Sequence, residues 1–495
     1  MGMETDSDAI YFCFSLLYSS FLSFLLIGFN SFLSFFLSFF LSFFLSFCDL
    51  VCHTVIFVIL FSISAAQSQP TQESKLEALQ SHFTWDLNSS RSKLFKLRDV
   101  LKDIGTNEGN SWLGHIYNLQ GFIHYQLGFI DEAKSFFSRA TEAFHQMMNT
   151  DSDGPWLVVN YGNLAWMHHH LGEQAESERY LSKVHALMKE YPSPSEDELH
   201  PEIYAEKAWT LMTFCEDKKQ LAADYFQRAI RMQPDRVEWQ TSRVLALVSV
   251  CKHPRNESGV DILEEMKKAK ERDPENLYLV ALYLEACAER GTNVKEQAHE
   301  LAERILSRPV SSYNGFTPLL RLYRCISMDE AINFVEEALK RHPDERYFKR
   351  CAAVCYREKI LSPEKFLLKL SMINRAISLC EDVISLYPDS SLKMVITLAN
   401  LYAKAKRQDE GDQKFKDLLK RDLEDKEKQM IYNGYAKFSY FSLKKEQESI
   451  KYHMMAAEIP QESSFRKDSI RNLEKIRDRN RNRREIEECL ANLQH

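Results

Sequence analysis

The sequence predicts an all-α superhelix, an α-solenoid of about nine helix pairs. Glycine and proline number only 15 and 14 among 495 residues, which disfavours the turn-rich sheets of all-β proteins. Amphipathic runs recur along the chain, and each ends near a proline that cannot continue a helix. These prolines are spaced by 34 to 45 residues, as is typical of stacked helix pairs, and they are Pro234, Pro274, Pro309, Pro343 and Pro388.

The repeating units match the tetratricopeptide pattern, in which small residues let neighbouring helices approach and large residues fill the remaining space. Gly121, Ala133 and Phe137 fit the expected spacing in one unit. Further units follow at residues 161–172, 222–234, 331–343, 395–415 and 452–460. Because each unit buries its apolar face only on its neighbours, the repeats leave a continuous concave surface for a ligand. The architecture therefore favours a binding protein.

Residues 1–73 form a low-complexity apolar leader rich in Phe, Leu and Ser, with no Lys or Arg before Lys75. The length and low charge of this leader suit a membrane anchor. Residues 64–67 resemble the cleavage site of a secretory signal, and translated non-coding sequence is a third interpretation. We expect the leader to lie outside the fold. A membrane is a partner only if this segment is present in the mature protein.

The remaining chain is predicted to form three repeat subdomains. They are an N-terminal one over 74–235, a middle one over 236–390 that lines a channel, and a C-terminal one over 391–495 with a basic terminal helix. Of the net charge of −7, residues 74–495 carry only −2, so anion binding depends on local clustering of charge. Between Arg466 and Arg484 nine basic residues stand against three acids. This cluster indicates either a solvated helix or an edge that contacts phosphate.

Motifs of enzyme chemistry are missing from the sequence. It contains no phosphate-binding glycine loop, no GxSxG nucleophile elbow and no HExxH zinc motif. The run His168-His169-His170 does not form a chelating site, because consecutive residues on a helix point about 100° apart. We therefore expect no enzymatic activity, no cofactor and no bound metal.

Three segments together resemble the interferon-induced proteins with tetratricopeptide repeats: KLEALQSHFTWDL (75–87), NYGNLAWMHHHLG (160–172) and HPEIYAEKAW (200–209). The resemblance extends from about residue 74 to the C-terminus. It implies a cytoplasmic, interferon-induced antiviral effector of innate immunity that binds the 5′ end of viral single-stranded RNA. In this family the RNA end, a triphosphate or an incompletely methylated cap, enters a basic channel of the superhelix. The resemblance also implies assembly into homo-oligomers or into hetero-oligomers with related repeat proteins.

The resemblance assigns four residues to a pocket for the RNA end. Trp209 matches the tryptophan that stacks on the cap base, and Glu238 matches a polar wall of that pocket. Asn276 and Tyr278 match two further pocket positions. An indole face and a carboxylate suit the cationic ring of a methylated guanine.

Two arginines complete the set of predicted RNA-binding residues. Arg321 and Arg350 each lie in a stretch where basic and aromatic residues alternate, the combination that binds single-stranded RNA through phosphate contacts and base stacking. Arg350 also falls where the family has a histidine.

Several positions depart from the family pattern. Ser249, Lys219 and Cys351 stand where the family has an arginine, a tyrosine and a glutamine, and the family's early arginine corresponds to Arg98. These departures motivate a second hypothesis, a protein–protein scaffold that uses the solenoid groove. A positively charged channel lining would favour RNA, whereas a neutral or apolar groove would favour the scaffold. The sequence leaves the preferred RNA end and the oligomeric state open.

Overall fold

The computed structural model describes residues 71–105, 110–215, 217–250, 261–362, 369–479 and 483–493. Over these ranges the chain folds into α-helices and contains no β-strand. The helices, in chain order, are α1 (Gln72–Glu77), α2 (Arg91–Ile104), α3 (Leu113–Leu127), α4 (Ile130–Met148), α5 (Val158–His170), α6 (Gln174–Glu190), α7 (Pro201–Phe214), α8 (Lys219–Met232), α9 (Val237–Val250), α10 (Ile262–Arg272), α11 (Leu277–Glu289), α12 (Lys295–Leu306), α13 (Phe316–Ile326), α14 (Met328–Arg341), α15 (Arg346–Leu361), α16 (Leu370–Leu386), α17 (Leu392–Lys404), α18 (Gln408–Leu419), α19 (Asp425–Phe438), α20 (Glu446–Glu458), α21 (Ser464–Asp478) and α22 (Arg483–Asn492).

Helices α3 to α20 form nine consecutive pairs, and each helix except α6 packs against the next along the chain. The packing within a pair follows from the repeat pattern. In the first pair, Gly121 leaves room for Phe137, whose ring carbons lie 2.6 Å from the position that a Cβ atom at residue 121 would take. Phe137 is fully buried as a result. The prediction of an all-α solenoid with about nine helix pairs is confirmed.

A short terminal unit around residues 82–85 covers the N-terminal end of the repeats. The ring of Phe83 meets that of Phe122 on α3 edge-on at 5.2 Å. The imidazole of His82 lies 3.1 Å from Thr210 Oγ1 on α7, and its backbone N–H donates to Asn163 on α5. Burial lowers the pKa of His82 to about 3, so the ring is neutral at physiological pH. This unit therefore contacts three repeat helices, α3, α5 and α7.

Helix α2 makes polar contacts with helices far along the chain. Near its start, the Ser92 backbone N–H donates to Glu424 at 3.1 Å, and the Ser92 hydroxyl donates to Glu427 on α19. Near its end, Asp99 accepts from the Ser390 hydroxyl at 2.6 Å, and Asp103 accepts from Arg346 at 2.8 Å. Helix α2 therefore links the N-terminal repeats to residues at least 243 positions later.

The buried apolar side chains of the described ranges form five clusters, of which the two largest span residues 76–239 and 277–402. Residues 76–495 belong to one compact unit. The subdomain boundaries near residues 235 and 390 stay predictions. The leader predicted over 1–73 lies outside the described residues except for its last three. Among the described helices, none combines the length and the apolar character that crossing a membrane requires.

We predict that the terminal unit is a main contributor to stability. Trp85 is only 4% exposed and packs against His82 with ring centroids 4.9 Å apart. Trp85→Ala should therefore lower the free energy of unfolding by about 3–5 kcal/mol, because it leaves a cavity. Urea denaturation followed by circular dichroism measures this loss. Phe441→Ala is the matched control, since this aromatic side chain is 68% exposed. Equal denaturation midpoints for Trp85→Ala and the parent would contradict the prediction.

Candidate nucleic-acid interface

Trp209 lies inside the protein, on the face of α7 that packs against α3. Its side chain is 1% exposed. The indole of Trp112, just before α3, stacks on it with ring centroids 6.0 Å apart and planes inclined by 14°. The ring of His115 lies 6.5 Å away. Trp209 thus stacks on a protein ring in this structure, and its role in stacking on a base stays a prediction.

Three carboxyl groups lie on α7, which carries Trp209, and on α9, which packs against α7. Glu206 accepts a hydrogen bond of 2.8 Å from the Asn118 amide, and burial raises its pKa to about 8. Burial also raises the pKa of Glu202 to about 7. Arg236 bridges Glu202 and Glu238, at 3.2 and 2.9 Å. The predicted pocket wall, Glu238, is therefore paired with an arginine in the free protein.

Asn276 and Tyr278 lie at the start of α11 and have different surroundings. The Asn276 side chain caps this helix, because its oxygen accepts from the Leu279 backbone N–H at 3.1 Å. Tyr278 is half-buried, and its ring meets that of Tyr313 edge-on at 5.8 Å. The chain after Tyr313 can lie this close to the start of α11 because residue 315 is glycine. A Cβ atom at Gly315 would lie 2.5 Å from the Leu277 carbonyl oxygen. Tyr278 therefore lies next to a second aromatic ring, whereas the Asn276 side chain is engaged in capping the helix.

Arg321 and Arg350 both lie on the first helices of their pairs and both are ion-paired. The guanidinium of Arg321 donates to the two oxygens of Glu285, each at 2.7 Å. Arg350 contacts Asp103 at 2.8 Å. A phosphate group must therefore compete with a carboxylate for either arginine. Sequence reasoning missed Asp103 as a partner because it lies on α2, far from Arg350 along the chain.

Two of the positions that depart from the family pattern, and the predicted early arginine, have described surroundings. The Ser249 hydroxyl donates to the Leu245 carbonyl of its own helix at 2.8 Å. Burial raises the pKa of the Cys351 thiol to about 11, so it stays protonated. Arg98 is held by Asp389 at 2.9 Å. A further cation that sequence reasoning missed is Lys93 on α2, whose ammonium lies 5.1 Å from the centre of the Phe214 ring.

The basic segment at the C-terminus occupies α21 and α22. Among its described arginines, Arg466 pairs with Glu462, Arg477 with Asp478 and Arg484 with Glu488. Such surface pairs are typical of a solvated helix. This favours the first of the two interpretations of the cluster. The described residues also contain no group of three or more His, Cys, Asp or Glu that could hold a metal ion.

Comparisons with known proteins bear on these observations. No protein-family model matches the chain. Interferon-induced protein with tetratricopeptide repeats 2 of Mus musculus is 25% identical over 416 residues, 81% of this chain and 86% of the relative. The human protein named antiviral innate immune response effector IFIT1 is 24% identical over 418 residues, again 81% and 86% of the two chains. Homologues of this chain thus include proteins named interferon-induced protein with tetratricopeptide repeats. The resemblance of its sequence motifs is confirmed.

Solved structures of these relatives share the fold. The human IFIT1 dimer with m7Gppp-AAAA superposes with a TM-score of 0.59 at 24% identity, over 84% of this chain and 92% of that one. The human IFIT1 dimer with PPP-AAAA gives a TM-score of 0.56 at 23% identity, over 83% and 91%. The repeat superhelix thus extends over most of both chains.

We predict a pH-dependent stability to which Glu202 contributes and whose main source is Glu206. Its pKa rises from 4.5 to about 8 on folding, so between these values the folded protein holds a proton that the unfolded chain has released. The stability should therefore fall as the pH rises from about 5 to about 8. Glu206→Gln keeps an acceptor for Asn118 and should remove the Glu206 part of this fall, about 1.4 kcal/mol for each pH unit over which the proton is retained. The smaller part that comes from Glu202 should remain.

Thermal melts between pH 5 and pH 9 test the prediction. Glu178→Gln, an exposed residue on α6, is the control and should keep the pH dependence of the parent. A Glu206→Gln variant whose melting temperature falls with pH as steeply as that of the parent would contradict it.

Proposed function

We propose that this protein is an antiviral effector of innate immunity that binds the 5′ end of viral RNA in the channel of its repeat superhelix. The observation that carries the proposal is the extent of the similarity. It covers about four fifths of the chain in a relative named as an antiviral effector. It also covers 83–85% of the chain in structures of IFIT1 with m7Gppp-AAAA, Gppp-AAAA and PPP-AAAA. In this proposal the protein acts in the cytoplasm and binds RNA without turning it over.

The chemistry of the middle repeats supports this function. Arg346, Arg350 and Arg321 lie among tyrosines, and the guanidinium of Arg346 lies 3.8 Å from the centre of the Tyr387 ring. Arg350 lies 5.1 Å from the same ring. Cations that bind phosphates next to rings that stack on bases are the usual components of a site for single-stranded RNA.

The base of the RNA end would stack on Trp209 in this proposal. The stacked neighbour Trp112 then has to move aside or slide along the indole, because it covers one face of Trp209. Stacking of a base on an aromatic side chain contributes about 1–3 kcal/mol, enough to offset the loss of one ring contact. Glu238 would favour a cationic methylated base, once Arg236 is drawn away from it.

Assembly with other chains belongs to the same proposal. Human IFIT1 forms a dimer in its structures with RNA, and interferon-induced protein with tetratricopeptide repeats 3 of Mus musculus is 26% identical over 210 residues, 42% of this chain and 50% of the relative. We therefore propose that the protein forms homo-oligomers or hetero-oligomers with related repeat proteins.

A protein–protein scaffold is the second candidate function. The observation that favours it is the ion pairing of Arg321 with Glu285 and of Arg350 with Asp103. Both pairs reduce the positive charge that the channel offers to an RNA chain.

RNA binding across a salt series separates the two candidates. The full chain should bind 5′-triphosphate or capped RNA more tightly than the same RNA with a 5′-hydroxyl, and the affinity should fall steeply with salt. Trp209→Ala should weaken capped RNA by about 1–3 kcal/mol. Fluorescence anisotropy with matched RNAs measures both. Equal, salt-insensitive binding of all three ends would contradict the RNA function and favour the scaffold.

We predict that Arg321 contacts phosphate rather than a base. Arg321→Ala should weaken all RNAs alike and reduce the salt slope by about 1, as expected for the loss of one phosphate contact. The control is Arg341→Ala, because Arg341 is ion-paired with Glu303 and Glu337 on α12 and α14. Loss of affinity for one RNA end alone would refute this role.

A further inference from the structure

Asp103 occupies the centre of a group of hydrogen-bond donors. Its side chain has no exposed surface. One carboxylate oxygen accepts from Arg346 Nε at 2.8 Å, and the other contacts Arg350 Nη2 at 2.8 Å. The Tyr387 hydroxyl donates to the two oxygens at 2.9 and 3.0 Å. Charge-assisted contacts of this length are the strong ones, so the carboxylate is tightly bound.

The donors belong to a different part of the chain from the acid. Arg346 and Arg350 are one turn apart on α15, and Tyr387 follows α16 in the same helix pair. Asp103 comes from the end of α2, 243 residues before Arg346. The donors therefore form one wall, and the carboxylate is inserted into it from outside the pair.

The two guanidinium groups have supports that do not depend on Asp103. Arg346 lies 3.8 Å and Arg350 5.1 Å from the centre of the Tyr387 ring, and Arg350 lies 5.8 Å from the centre of the Tyr347 ring. Arg346 also donates to the Leu386 and Asp99 carbonyl oxygens, each at 3.4 Å. Two arginines and a phenol held in this way can bind an oxyanion from any source.

We propose that this wall is a phosphate site closed by the protein's own carboxylate, and that Asp103 inhibits RNA binding by occupying the place of an RNA phosphate. The proposal rests on the proposed function, because it names the group that an incoming RNA must displace. Asp103 is not itself a ligand of the RNA. By occupying both arginines, it lowers the affinity for RNA.

The charges of the cluster explain how the inhibition operates. Three acids, Asp103, Asp99 and Asp389, balance three arginines, Arg346, Arg350 and Arg98, so the closed site offers no net positive charge to an approaching RNA. Burial raises the pKa of the Asp103 carboxyl. Arg350 and Arg346 act in the opposite direction, because they favour the ionised carboxylate. The apparent affinity for RNA is reduced by the fraction of molecules in which Asp103 still fills the site.

The main test compares Asp103→Asn with the parent, both as full chains. The substitution keeps the shape and removes the charge, so both arginines become available to phosphate. Asp103→Asn should bind single-stranded RNA about tenfold more tightly at low salt, with a steeper salt slope. The matched control is Glu336→Gln, because Glu336 also binds an arginine and a tyrosine, Arg375 at 3.0 Å and Tyr356 at 2.9 Å. RNA affinity of Asp103→Asn equal to or below that of the parent, with the fold intact, would overturn the inhibition.

A second measurement tests the anion site without RNA. Inorganic phosphate should raise the melting temperature of Asp103→Ala more than chloride does at equal ionic strength. The melting temperatures of the parent and of Glu336→Ala should be the same in both anions. The added substitution Arg350→Ala should abolish the effect. A phosphate response equal in all variants would overturn the site. If RNA binds neither the parent nor Asp103→Asn, the RNA function and the inhibition fail, while the phosphate response of Asp103→Ala still decides the anion site.

Discussion

The ionic contact between α2 and the helix pair α15–α16 is the constraint on which the rest of the molecule depends. The repeats of a solenoid contact only their neighbours, so nothing in the repeat pattern fixes the first helices against the seventh pair. Asp99 and Asp103 supply that connection through Arg346, Tyr387 and Ser390. The position of α2 against the seventh pair is thus fixed by contacts outside the repeat pattern.

The same contact lowers the positive charge that the protein offers to an anion. Residues 74–495 carry a net charge of only −2, so a nucleic-acid channel has to concentrate its cations locally. Here the two predicted phosphate-binding arginines are each neutralised by an acid, Glu285 or Asp103. Affinity for a polyanion then depends on exchange of partners as well as on the number of basic residues. In the proposed function, the arginines that would bind RNA phosphate are the same groups that pair with acids in the free protein.

Sequence reasoning predicted the parts of the fold that depend on local patterns. The proline spacing and pairs such as Gly121 and Phe137 indicate the helix pairs, because both act within one repeat. The burial of Trp209 under Trp112 was not predictable in this way, since the two rings are 97 positions apart in the sequence. Arg350 was predicted as a cation near phosphate, but its partner Asp103 lies on a helix outside the repeats. Among the candidate residues, only those whose surroundings come from their own repeat could be placed from sequence.

The distance along the chain between Asp103 and its partners also bears on biosynthesis. The ribosome must add 243 residues after Asp103 before Arg346 exists. At 5–20 residues per second this takes roughly 10 to 50 s. Helix α2 can pack on α3 during this interval, but the cations that bind Asp103, Arg346 and Arg350, do not yet exist. The first repeats are therefore expected to fold before the contact between α2 and the seventh pair exists. That contact can form only when the seventh pair has left the ribosome.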